Sequence, residues 1–337
     1  MKSEIQGAGA SRVVQRGAHW LPWVVLGAGC LGTVLTCVLI DRGQQRMEQE
    51  RFMRQVARME AAIQERFVTV SNLLRSARAF TWASEEVTDM EWARYFRSIQ
   101  TQFTDGIVGL GYVRKIARTD ADAFEQRLRA AGSKDFEIDR RGTGDWLYVV
   151  TAIEPQERNT RVLGLDVAAG NTRREAAEAA ARSNALVLSR RIRLDYESRE
   201  VPGFLLFLPI YAVGENDVLR MPATDRLAAV QGWVYASIRV DELLADMPLH
   251  AAAQLELTVY ERGADNLVTL LHGTHAGDRE VPARYPEFKT VRSLGLLGRD
   301  WPISYGSTEE FEQLGGAWMI WVLGAGGLLT SVIGAVL

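Results

Sequence analysis

The chain is poor in the residues that carry most protein chemistry: two cysteines and four histidines in 337 residues. Both cysteines, Cys30 and Cys37, sit inside a stretch without any charged residue. The long segment that follows therefore has no thiol to cross-link, and its own core must hold it together. The histidines are His19, His250, His272 and His275. His272-Gly-Thr-His275 brings two imidazoles close in sequence, but no cysteine or acidic partner completes a zinc set, and the pair reads as a hairpin turn. No Ser-His-Asp or Cys-His constellation, phosphate loop or zinc-protease helix is spelled anywhere. Carboxylate pairs such as Glu85 with Glu86 and Glu309 with Glu310 read as solvated helix faces or caps. Catalytic residues, metals and cofactors are therefore not expected. A net charge of −3, from 39 basic and 42 acidic residues, gives no reason to expect nucleic acid or an acidic substrate.

Two local extremes stand against this ordinary background. His19–Ile40 and Ala317–Leu337 contain no Lys, Arg, Asp or Glu. Each has about 20 residues, enough at about 1.5 Å per residue to cross about 30 Å of hydrocarbon. Lys2, Arg12 and Arg16 before the first run would suit a signal peptide, but the run exceeds the usual apolar core of about 7–15 residues and no small-x-small cleavage site precedes Asp41. An uncleaved anchor is expected. Trp20, Trp23, Trp318 and Trp321 lie where aromatic side chains meet lipid headgroups. Arg42 and Arg46 follow the first run, so charge alone does not orient it; an N-terminal anchor with a short basic tail places the tail in the cytoplasm and the loop outside.

Between the spans, Phe52, Val56, Met59, Ile63, Phe67, Val70, Leu74 and Ala77 recur in steps of three and four along a helix otherwise rich in Arg, Gln and Glu. The stripe packs either on the chain's own domain or, in its membrane-proximal half, in a parallel homodimer seam. A helix is expected over Met90–Phe103, then a strand over Gly106–Ile116. Helices follow over Asp120–Ala131 and Arg173–Ser183, with strands over Phe136–Asp139, Trp146–Ile153, Ala185–Leu194, Phe204–Val213 and Gly232–Ile238. Thr172-Arg-Arg-Glu175 has the spacing of a capping box. The helix it would open is small on one side, with Ala176, Ala177, Ala179 and Ala180, so it lies very close to a sheet or leaves room for something else. Gly214–Asp225 reads as a surface loop. After a short helix over Asp241–Met247, strands over Leu255–Glu261, Leu267–His272, Phe288–Arg292 and Trp301–Tyr305 form a smaller antiparallel sheet beyond a larger mixed one, and Thr308 opens the last helix.

Gly27-Ala-Gly29-Cys-Leu-Gly32 matches the dinucleotide fingerprint in letters only. It lies within an apolar span without a preceding strand, where small residues instead let helices approach closely. Gly327, Ser331 and Ala335 repeat that spacing in the second span.

From Gly109 to Leu244 a succession of short strings appears. These are Gly-Leu-Gly-Tyr-Val (109–113), Phe124-Glu125, Glu154-Pro155 with Asn159, Gly164-Leu165-Asp166 and Arg173-Arg174-Glu175 with Ala180. Then come Val187-Leu188-Ser189, Leu208-Pro209-Ile210-Tyr211 and Gly232-Trp233-Val234. In order, spacing and flanking helices this resembles the CHASE domain, the extracellular sensory domain of cytokinin receptors and of many bacterial histidine kinases and nucleotide cyclases. The resemblance implies an α+β fold: a long N-terminal stalk helix followed by two PAS-like mixed α/β subdomains, flanked by two transmembrane helices. It also implies a small-molecule ligand in the membrane-distal subdomain and a homodimer through the stalk and membrane helices. The carboxylate that binds the purine in cytokinin receptors falls near Glu157, or near Asn159 if the alignment slips. The facing threonine falls at Ser189, which keeps the hydroxyl but departs from the plant residue, so a different small molecule is implied. Leu165, Phe207 and the alanine face could line an apolar cleft. Against this, Asp166, Asn159 and Pro209 are equally readable as turn or capping residues that shape the fold.

The expected organisation is a cytoplasmic tail (1–18), a first membrane helix (19–40), a stalk and second helix (41–104), a membrane-distal ligand-binding subdomain (105–247), a membrane-proximal small sheet (248–307), and a connecting helix with the second membrane helix (308–337). The function expected is that of a receptor input module in a bacterial inner membrane. Its sensory loop lies in the periplasm, in contact with lipid only through its helices, and its histidine kinase or diguanylate cyclase lies beyond Leu337. A stand-alone membrane-anchored binding or adaptor protein is the alternative.

Overall fold

The computed structural model describes residues 20–84, 87–103, 105–196, 199–245, 254–263, 268–273, 285–314 and 317–336. The tail before residue 19, Glu85 with Glu86, His250 and His275 lie outside the described residues. Two compact units are present, one of residues 56–306 and one of residues 1–55 with 307–337.

The larger unit begins within helix α1 (Leu21–Ala83), whose residues Val56, Met59, Ile63, Phe67, Val70, Leu74 and Ala77 are all buried. The heptad-like stripe is thus consumed by the chain's own domain, with Phe67 edge-on to Trp301 at 5.4 Å between ring centres. Helix α2 (Asp89–Ile99) is opened by a capping box in which Thr88 and Glu91 satisfy each other's amides. Then follow β1 (Ile107–Ala117), α3 (Ala121–Ala130), β2 (Trp146–Glu154), α4 (Asn171–Ser183), β3 (Val187–Leu188), β4 (Ile192–Tyr196), β5 (Arg199–Tyr211), α5 (Glu215–Arg220), α6 (Ala223–Ala229), β6 (Val230–Ile238) and α7 (Val240–Ala245). A distal sheet runs in the order β2-β1-β6-β5-β3, with β4 paired to β5. A proximal sheet of β7 (Leu255–Arg262), β8 (Val268–Gly273), β9 (Lys289–Leu296) and β10 (Arg299–Ser307) has the order β8-β7-β10-β9.

Both sheets are antiparallel, so the larger one is not mixed as the sequence suggested. Every neighbouring pair in the larger sheet runs antiparallel, so none needs the crossover that parallel neighbours require. The expected strand over Ala185–Leu194 is two short strands broken at Ser189–Arg191, both paired with β5. Phe136–Asp139 is irregular, because the amide of Ile138 donates to the Glu125 carboxylate at 3.1 Å and that of Asp139 to the carbonyl of Gly164 at 2.9 Å. Gly214–Asp225 contains α5 and the start of α6; the buried Val218 supplies the apolar anchor that the polar composition hides. The capping box expected at Thr172 is not formed, since α4 begins two residues earlier than that box requires, with Gly170 at its N-cap and no side-chain cap.

The smaller unit holds the membrane-proximal part of α1, α8 (Glu309–Gln313) and α9 (Ala317–Val336). Thr308 caps α8 as expected, accepting from the amide of Phe311. Phe52, the first residue of the stripe, is buried against Phe311 with ring centres 6.0 Å apart, and no seam is left at that position for a second copy. Gly29 faces Ser331 so closely that a methyl group there would sit 2.5 Å from its hydroxyl, and Gly327 meets Thr33 in the same way. Small residues therefore serve close helix approach at Gly29 and Gly327, whereas a methyl group at Gly27 or Gly32 would meet nothing within 4 Å among the described residues. Among the described residues one helix, α1, is long and apolar enough to cross a membrane, whereas the apolar stretch of α9 covers Trp321–Gly334.

Candidate functional site

The distal sheet is covered on both faces. On one, the indole of Trp92 in α2 donates to the carbonyl of Leu110 at 3.2 Å and stacks on Tyr112. On the other lies α4, whose Ala176, Ala177, Ala180 and Ala181 are buried against the strands. The small side chains make room for large ones: Trp233 donates to the carbonyl of Ala177 at 2.8 Å, Tyr211 donates to that of Ala181, and the rings of Tyr148 and Trp233 approach to 4.5 Å. The alanine face is thus filled by aromatic side chains from the sheet.

At the centre of this face stands Tyr235, with its ring 5.9 Å from that of Phe207 and lying across Gly111. A Cβ at position 111 would come within 2.3 Å of the tyrosine ring, so glycine is required there. The Tyr235 hydroxyl is buried and has no hydrogen-bond partner among the described residues. Burial pushes its pKa up, only partly offset by the Arg173 charge, so it stays a neutral donor. A buried hydroxyl without a partner costs roughly 1–3 kcal/mol, which a suitably placed acceptor would recover.

Of the residues singled out from sequence, Phe207 lies in this aromatic cluster and Leu165 packs against it. Asn159 is buried at its margin, donating to the carbonyls of Val108 at 3.0 Å and Pro155 at 2.9 Å and so tying the loop after β2 to β1. Ser189 is fully buried; its hydroxyl accepts from the amide of Leu205 at 2.9 Å and donates to the carbonyl of Arg190 at 2.8 Å. Glu157 is exposed on the loop. Asp166 is buried, one carboxylate oxygen accepting from the amides of Tyr148 and Ala168 at 2.9 Å each. Burial raises its pKa, and the two amides oppose the rise. Tyr235 and Tyr148 were not singled out from sequence, and Trp233 only within the string Gly232-Trp233-Val234, although Trp233 and Tyr235 stand at alternate positions of one strand and so share a face.

Around Ser189 the two sheets are joined. The amide of Leu188 donates to the carbonyl of Leu297 at 3.0 Å, and Arg299 returns a bond to the carbonyl of Leu188 at 3.0 Å. The amide of Arg191 donates to both oxygens of the Glu261 carboxylate, at 3.3 and 3.2 Å. Burial raises the pKa of Glu261, opposed by that amide and by neighbouring arginines. No group of three histidine, cysteine or acidic side chains among the described residues is placed to hold a metal.

The arrangement is that of an extracytoplasmic sensory module: a helical stalk, a sheet with a filled aromatic face, and a second sheet tied to it. Residues 85–272, more than half of the chain, match the CHASE domain, and the chain belongs to that family. One long apolar N-terminal helix marks it as membrane-anchored with the CHASE domain outside the cytoplasm. Comparison with curated proteins gives no match. Among solved structures, "Methyl-accepting Chemotaxis protein X" is similar over 77% of this chain and 98% of that chain, at 11% identity and a TM-score of 0.44.

Proposed function

We propose that the chain is the input module of a membrane receptor that binds a small molecule on the α4 face of the distal sheet. Its output would pass through the membrane to a cytoplasmic domain of histidine kinase or diguanylate cyclase type. The observation that carries the reading is the unpartnered Tyr235 hydroxyl, a donor held ready among Phe207, Trp233 and Tyr148. Leu165, Phe207 and Tyr235 form the ligand's surroundings, Asn159 and Ser189 hold their frame, and Glu157 lies at the entrance. Because the face is filled, ligand entry requires α4 or the loop before it to move, and a ligand shifts that equilibrium only by binding one arrangement better. The backbone bonds around Ser189 offer the next link, since they join the distal strand directly to the proximal sheet. In this reading α9 is the returning membrane helix in a bacterial inner membrane. Two copies pair through the remaining exposed face of the stalk, where Val68 stands free, and through the membrane helices.

The test is a thermal-shift screen of the full chain in lipid nanodiscs against purines, amino acids and organic acids. A stabilising compound whose effect disappears in Tyr235→Phe, with the fold intact by circular dichroism, supports the placement. Equal stabilisation of both proteins by every hit would remove it.

A further inference from the structure

A separate cleft of about 210 Å³ opens beside the end of α1, lined there by Arg75, Arg78 and Trp82. Asn184, which caps the C-terminus of α4, contributes to it, as do Val213 and Glu215 beyond β5. It does not include Tyr235, and its case is independent of the site proposed above. Its chemistry is of two signs. The guanidinium of Arg78 lies 3.6 Å from the Glu215 carboxylate, close enough to attract but longer than a hydrogen bond. Arg75 donates to Asn72 at 3.2 Å, in solvent. The side-chain carbonyl of Asn184, held by a left-handed backbone (φ 50°) at the helix end, is buried without a partner among the described residues. Trp82 and Val213 add apolar surface and are both exposed, Trp82 at 65%.

We propose that this cleft binds a free α-amino acid with an apolar side chain. Two guanidinium groups match the forked geometry of a carboxylate. Glu215 and the Asn184 carbonyl are both acceptors and match an ammonium group, which has donors only. Trp82 and Val213 offer the side chain an apolar surface, and an indole face also favours a nearby cation. A zwitterion would replace the loose Arg78–Glu215 pair with two closer ones and would satisfy the orphaned carbonyl. The volume is below the roughly 300–1,000 Å³ of sites for drug-sized ligands, which suits a single amino acid better than a purine nucleoside. The cleft joins the stalk helix to the distal sheet, so occupancy would stiffen the connection between them.

Calorimetric titration of the full chain in nanodiscs tests this, with L-leucine and L-phenylalanine as probes. 4-Methylpentanoate and 3-methylbutylamine serve as the forms lacking the ammonium and the carboxylate. Binding of at least one amino acid at roughly millimolar Kd or tighter is expected. Each truncated analogue should bind at least about tenfold more weakly, because a charged partner is left unmatched. Arg78→Gln and Glu215→Gln should each weaken binding by about tenfold, with Arg78→Lys intermediate and Tyr235→Phe without effect. Arg78 is half-buried and Glu215 exposed, and circular dichroism checks that each variant is folded. Absence of heat with both amino acids, equal binding of 4-methylpentanoate, or unchanged affinity in Arg78→Gln would each overturn the assignment.

Discussion

The two sheets of the larger unit bury their strands in different ways. In the distal sheet β1, β2 and β6 carry long uninterrupted runs of buried residues, because α2 and the stalk cover one face and α4 the other. In the proximal sheet β7 alternates between buried and half-buried positions, and β9 leaves most of its residues in solvent. The first pattern belongs to a sheet enclosed on both sides, the second to a sheet that turns one face to water. Enclosure explains why an orphaned donor such as Tyr235 persists in the distal sheet: water does not reach it, and its cost is borne by the surrounding core. The proximal sheet instead has a single buried side, which includes Leu257, Val259, Ile303 and Tyr305, with Trp301 against Phe67 of the stalk. One sheet is built to enclose something and the other to grip a helix.

The contrast is sharpest at Trp233. Its indole is fully buried, bonded to α4 and packed on Tyr148. Trp233→Ala should cost about 3–5 kcal/mol, read from the urea midpoint of the full chain in detergent. A loss below about 1 kcal/mol would mean that α4 is not seated on the sheet, and the enclosed face would lose its meaning.

Asp166 probes the same enclosure electrically. Asp166→Ala strips the amides of Tyr148 and Ala168 of their acceptor and should cost about 2–4 kcal/mol. Asp166→Asn keeps an acceptor and should cost less. Because burial raises the folded-state pKa above its ordinary value, the folded protein holds this proton more tightly than the unfolded chain does. The group's contribution to stability therefore falls as pH rises from the ordinary carboxylate range through the raised value, and is level above it. Asp166→Asn should flatten that part of the stability profile; Glu154 and Glu261, also raised by burial, keep some slope. An unaltered slope would show that Asp166 is better solvated than its burial implies.

Much of this contrast was written in local sequence. The stripe from Val56 to Ala77 announced a helix buried along one side, and the alanines of α4 left a close approach to a sheet and room for something else both open. Thr308 read as a cap and is one. The partners could not be read, because they come from remote segments: Trp301 for Phe67, Phe311 for Phe52, and Gly111 beneath Tyr235. Choosing between a domain core and a dimer seam required those partners. The box at Thr172 failed for a different reason, since its spacing is correct but the chain enters the helix two residues earlier. At the candidate site, Phe207 and Leu165 were recognisable as apolar lining. Ser189 and Asn159 had the right chemistry for a ligand, yet local backbone groups already occupy their bonds. The polar group left over, Tyr235, looked in sequence like one more strand aromatic.

The smallest effect is expected on the open side of the proximal sheet. Val291 in β9 is 63% exposed, and its neighbours Thr290 and Arg292 are not buried. Val291→Thr keeps the β-branch that suits a strand and changes only a methyl group that water already reaches. Its cost should stay within about 0.5 kcal/mol in the same urea titration, and any ligand-induced thermal shift should be unaltered. A loss above about 1 kcal/mol would require this face to be covered by something, and the most direct candidate is a second copy, since β9 is an edge strand among the described residues. Concentration dependence of the Val291→Thr midpoint decides that point: a midpoint that rises with protein concentration signals association, and a constant one leaves the face open to water.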